Sequence, residues 1–163
     1  MKNSATILGL SLMLSLGAAA VSSAPVVTLS LSIAARPFMV KSGQDIRVDI
    51  NITNGSNKPM PLAVSNAEGH AEFNYDIQVM RQDKRPVGRT DYGRSLVGAG
   101  TLSIGFSNRL IYLKPGQSQS DYFVLNKIYD VSRPGVYFVQ IQQAPVAGTN
   151  ATARSNSIEV VVQ

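Results

Sequence analysis

Histidine occurs once in the 163 residues, as His70 within "EGHAEF", and it is the only side-chain type here whose charge changes near neutral pH. Triad catalysis needs a serine, that histidine and an orienting carboxylate brought together in space. Ser65, Glu68 and Glu72 stand close by in sequence, but no Gly-x-Ser-x-Gly elbow is present to expose a nucleophile. Met60, His70 and Met80 recur at intervals of ten and offer thioether and imidazole, the ligands that suit Cu(I). Against that, methionines in strands usually fill gaps in a core. Asp45 and Asp49, four apart on an expected strand, share a face but stand too far apart along it to grip one calcium ion. No catalytic residue and no cofactor are therefore expected, and the chain is read as a non-enzyme.

Two further residue groups bear on recognition. Asn51, Asn54 and Asn150 each head an Asn-x-Ser/Thr triplet, which matters only in a host that glycosylates exported chains. The stretch from Pro86 to Ser107, "PVGRTDYGRSLVGAGTLSIGFS", carries five glycines and little strand character. Connections of that length are functional or mobile. Arg89, Asp91, Tyr92 and Arg94 are its candidate partner-binding residues, because Tyr and Arg recur at interface hot spots. The competing expectation is that Tyr92 and Leu96 pin the loop while the arginines point to water.

The elements that must position these groups have a period of two. Leu29, Leu31 and Ile33 alternate with Ser30 and Ser32, in a run that starts at Val27. Ile46, Val48, Ile50 and Ile52 alternate with Arg47, Asp49, Asn51 and Thr53, the pattern of a strand with one buried and one wet face. Asn54-Gly55 then turns the chain, with positive φ available there. Met60, Leu62 and Val64 form a run broken by Pro59 and Pro61, which suits an edge. Tyr75, Ile77 and Val79 mark another strand, and Leu110 with Tyr112 the next. "DYFVL", "GVYFVQIQ" and "SNSIEVVV" complete about eight, the last with Ile158, Val160 and Val162 on one face. Turn signals between short strands indicate an all-β antiparallel sandwich of 7–8 strands in one domain, residues 25–163. No sustained helical period is visible; Leu125, Ile128 and Tyr129 suggest one turn. Tyr137, just after Arg133-Pro134-Gly135, is expected to bury its ring and bond its hydroxyl back to the preceding turn, as in a tyrosine corner.

Lys2, the apolar "ILGLSLMLSLG" and the small-residue exit "AAAVSSA" read as an export signal, residues 1–24, cleaved after Ala20 or Ala24. No later apolar run is long enough to span a membrane, so no stable membrane insertion is expected once the signal is removed. The absence of cysteine removes disulfides and thiolate chemistry, so packing alone holds the fold. Net charge is +5, with five basic side chains mixed with two aspartates over residues 81–94. A nucleic-acid binder would show a denser basic face with stacking aromatics, so nucleic acid is not an expected partner.

The run 113–142, "LKPGQSQSDYFVLNKIYDVSRPGVYFVQIQ", resembles a module of bacterial secreted proteins with the pattern L-K-P-G, a strand, then Y-D-x-S-x-P-G-x-Y-x-V. It is similar to the immunoglobulin-like sandwich that precedes the catalytic domain of deuterolysin-type metallopeptidases. The resemblance implies that fold and an accessory or binding role. It implies no peptidase activity, because a His-Glu-x-x-His helix is missing. A looser similarity runs to the small β-sandwich inhibitor of subtilisin-like proteases. The expected function is thus an exported, secreted or periplasmic, non-enzymatic module that contacts a protein or an envelope polymer. The alternatives are a proteinase inhibitor and a copper-binding periplasmic protein.

Overall fold

The computed structural model describes residues 29–66, 69–98, 108–143 and 153–163. The export-signal reading, Glu68, the Asn150 triplet and residues 99–107 of the long loop lie outside the described residues.

Alternating side chains give the strands their two faces. β1 (Leu29–Arg36), β3 (Arg47–Asn54) and β7 (Ser118–Val124) form one antiparallel sheet in the order β1-β3-β7. Leu31, Ile33, Val48, Ile50, Ile52 and Phe123 are its buried side. The opposing sheet runs β2-β9-β8-β5, from Met39–Val40, Ile158–Val162, Gly135–Gln143 and Tyr75–Arg81. Its buried side carries Ile77, Val79, Tyr137, Val139, Ile141 and Val160. β1 pairs antiparallel with β3, and the chain then crosses so that β2 pairs parallel with β9. Two sheets ordered this way around one apolar core make an immunoglobulin-like β-sandwich.

β4 (Met60–Ser65) and β6 (Asn108–Leu113) pair only with each other among the described strands, as Pro59 and Pro61 foretold for an edge. They continue the β3–β7 ladder: β3 leads into β4 and β6 into β7, and the two-stranded ribbon bends at the corner between them. Asn54 holds that corner. Fully buried, it donates Nδ2 to Lys58 O at 2.7 Å and to Leu113 O at 2.8 Å. Its Oδ1 accepts from the Ser56 amide and hydroxyl, and its backbone bonds Gly116 and Gln117 of the L-K-P-G turn. The turn is therefore made by side-chain bonding and by Gly116 at φ +74°. Gly55 is not in the left-handed region, contrary to the sequence expectation for Asn54-Gly55.

The Y-D-x-S-x-P-G-x-Y motif is likewise architectural. Tyr137 is buried at the start of β8 and donates its hydroxyl to Arg133 O at 2.6 Å, as expected for a tyrosine corner. Tyr129 is buried and donates to Ile77 O. Asp130 Oδ1 accepts from the Ser132 hydroxyl at 2.6 Å, and these bonds hold its carboxyl below the usual range. The single turn anticipated at Leu125 is α2 (Leu125–Ile128).

Two expectations change. Asp91–Gly98 is an α-helix, α1, inside the stretch read as an open loop. Thr90 caps it: its Oγ1 accepts from the Gly93 amide at 3.0 Å, and its carbonyl accepts from Arg94. β6 faces the other way from Leu110 and Tyr112: Leu113 is buried and Ile111 packs on the core, while Leu110 and Tyr112 are 53% and 64% exposed.

Candidate functional site

The acid-base residues gather where a 3-10 turn, Ala71–Phe73, plugs the open side of the sandwich against β4, β5 and β7. Ala71 is buried and draws the turn in, which carries the Glu72 side chain to 4% exposure. Glu72 Oε1 lies 3.0 Å from His70 Nδ1 and accepts the Tyr92 hydroxyl at 2.8 Å. Glu72 Oε2 and both side-chain amide atoms of Asn74 are buried without a hydrogen-bond partner among the described residues. Glu72 thus serves as the carboxylate beside His70, and the third member is a tyrosine from α1 in place of the serine that the sequence suggested.

Tyr92 ties α1 to this turn. Burial first, then the hydrogen bond and charge of Glu72, hold its phenol well above the ordinary value of 10.0. Burial does the same for Tyr75, with Asp121 adding to the effect. A phenol raised on folding contributes stability that is present in full below pH 10 and fades as the pH climbs toward the folded value. Tyr92→Phe should lower stability by about 1.5 kcal/mol at neutral pH, the effect of leaving a buried carboxylate one donor short. A thermal melt of the variant beside the parent chain reads this directly; an unchanged melt would show that the bond is idle.

The other residues proposed from the sequence are occupied at the same place. Arg94 pairs with Asp91 and donates to Arg89 O at 2.7 Å. Arg89 lies over the Tyr129 ring at 5.3 Å and donates to Gly93 O at 3.4 Å. Gly93 is buried against Ile128, where an added Cβ would stand 2.0 Å from the carbonyl oxygen. The structure brings Arg89, Asp91, Tyr92 and Arg94 together at α1: Tyr92 and Arg89 reach Glu72 and Tyr129, while Asp91 and Arg94 bond within the helix and its entry.

Met60, His70 and Met80 do not converge. Met60 is buried at the start of β4, whereas Met80 is exposed near the far end of β5. His70 precedes the 3-10 turn that leads into the opposite end of β5, and β5 alone sets Tyr75 about 17 Å from Met80. Among the described residues no group of three His, Cys, Asp or Glu is placed to hold a metal ion. Asp45 lies before β3 rather than on it and accepts from Asn126, while Asp49 pairs with Arg36 and Arg47. Asn54, buried and bonded, cannot accept a glycan in the folded chain.

The surface that sequence reasoning missed is the outer face of the β4–β6 ribbon. Pro61 stands opposite Tyr112 and Ala63 opposite Leu110. Leu110 and Tyr112 are among the most exposed large apolar side chains described, and both strands keep an unpaired edge among the described strands. The signal was present: "RLIYL" has apolar residues on both faces, more than one buried side requires.

No family model and no curated protein matches this chain. Among solved structures, it is similar to the CARDB domain of the PF1109 protein from Pyrococcus furiosus, determined in complex with di-metal ions. The identity is 12% and the TM-score 0.43, with 86% of this chain and 97% of that one covered. Among the described residues no helix is long and apolar enough to cross a membrane.

Proposed function

We propose that the chain is an exported, non-enzymatic binding or accessory module whose β4–β6 ribbon docks a protein partner. The supporting observation is the exposed pair Leu110 and Tyr112 on a two-stranded ribbon whose outer edges are unpaired among the described strands. Apolar side chains set out on a sheet face lose free energy in water and regain it against a partner, while an open strand edge can pair with an extended segment. The groups capable of acid-base chemistry are meanwhile engaged in holding α1 to the sandwich. The N-terminal leader-like residues support export.

Leu110→Ser with Tyr112→Ser tests the reading, since both positions are exposed and the core is untouched. The double variant should fold with an unchanged melt and lose, by tenfold or more, a partner that the parent chain captures from envelope extract. Equal capture by parent and variant would remove the ribbon as the binding surface.

A further inference from the structure

We infer that the partner presents an acidic, extended peptide segment, which adds a strand to the edge of β6 that faces away from β4; this rests on the ribbon being the docking surface. Charge points to the occupant. Residues 55–66 and 108–120, the ribbon with its turns, contain Lys58, Arg109 and Lys114 and no acidic residue. All three cations are exposed, and none forms an ion pair among the described residues. Asn54 brings two of them to one corner. Its Nδ2 holds Lys58 O at 2.7 Å and Leu113 O at 2.8 Å, so Lys58 and Lys114 stand at the same end of the ribbon. Arg109 is at the other end of β6, about 17 Å from Lys114 along the strand. Carboxylates of adjoining elements are turned inward. The Glu72 side chain is 4% exposed and engaged by His70 and Tyr92, and Asp121 alternates to the inner side of β7 with Phe123.

Backbone chemistry separates a peptide from the other occupants. β6 has no proline from Asn108 to Leu113, so its outer edge keeps every donor and acceptor that points there, and no described strand takes them. On β4, Pro59 and Pro61 each lack a donor. A lipid surface would leave the β6 groups without partners. An added strand pairs them, and every second side chain of that strand lies beside Leu110 and Tyr112 on the outer face. A second copy of the chain would double the three cations and bring no counter-charge. Nucleic acid calls for a denser run of cations.

The probe is a labelled peptide of alternating threonine and valine with paired glutamates at both ends, followed by fluorescence anisotropy at low salt. The parent chain should bind it, and the same peptide with glutamine for glutamate should bind roughly tenfold more weakly. Lys58→Gln with Lys114→Gln should weaken binding about tenfold with an unchanged melt, since both side chains are exposed and Asn54 bonds only the Lys58 backbone. Amide exchange in residues 109–113 should slow in the complex. No binding of the acidic peptide, equal binding of the glutamine peptide, equal binding by the double-glutamine variant, or binding with unaltered exchange in β6 would each overturn the inference. So would retention of the chain on phosphatidylglycerol vesicles that Leu110→Ser with Tyr112→Ser abolishes. An envelope partner captured equally by parent and double-glutamine variant, but lost with Leu110→Ser and Tyr112→Ser, would keep the ribbon as the docking surface and overturn the acidic strand alone.

Discussion

Asn54→Ala should lower the melting temperature by about 10 °C, because it empties the corner on which the ribbon turns. Asn54 is fully buried and is the one side chain that bonds both Lys58 O and Leu113 O. Alanine leaves the buried Leu113 carbonyl short of a donor, removes one of the two side-chain donors to Lys58 O, and frees the Ser56 amide from its acceptor. Unpaired buried groups cost about 1–3 kcal/mol each, so a loss near 3 kcal/mol is expected even after partial relaxation. Asp at this position should also fail, since it offers no donor to either carbonyl. Differential scanning calorimetry measures the shift, and a change of under 2 °C would show that the corner is held by its backbone bonds alone.

Gly93→Val should detach α1 from the sandwich. A Cβ at this position meets Ile128 O at 2.0 Å and Ile128 C at 2.9 Å, both backbone atoms that no rotamer change can move. The same carbonyl accepts the Thr90 amide at 2.9 Å and the Thr90 hydroxyl at 3.2 Å, so displacing the helix also removes its cap. Overpacking of this kind costs about 1–3 kcal/mol, and here the upper end is expected. Amide exchange at Thr90 and Arg94 should accelerate at least tenfold. Gly88→Ala is the matched control, because nothing lies within 4 Å of a Cβ there. Equal exchange in the Gly93 variant and the control would mean that α1 is not docked through this contact.

The strands were legible because their alternation is strict. "DIRVDINIT" and "GVYFVQIQ" each have one face of branched or aromatic residues, and both became central strands. Tyr137 was legible for a different reason: its place after Arg-Pro-Gly is local, and its hydroxyl needs only a neighbouring carbonyl. The helix α1 was hidden by the residue that docks it. Gly93 weakens helix propensity while allowing backbone contact with Ile128, and only Tyr92 and Leu96 mark an apolar side. β6 was ambiguous because Leu110, Ile111, Tyr112 and Leu113 are all apolar, so a period of two selects neither face. The ladder to β4 fixes it, by placing Leu113 opposite Met60.

The candidate site was legible only as residue types. Glu72 beside His70 reads as a solvated pair, and its burial depends on Ala71 entering the core and on Tyr92 arriving from another element. The loop residues Arg89, Asp91 and Arg94 were singled out for recognition, yet they bond one another across one helical turn. Only Tyr92, bonded to Glu72, and Arg89, over the Tyr129 ring, reach beyond that turn, and those contacts depend on the fold.

Amide hydrogen exchange with and without the captured protein partner tests the central claim most directly. Protection should appear at residues 60–65 and 108–113, while the amides of α1 and of the turn beside Glu72 exchange as before. Protection centred on residues 89–94, with the ribbon unchanged, would contradict it.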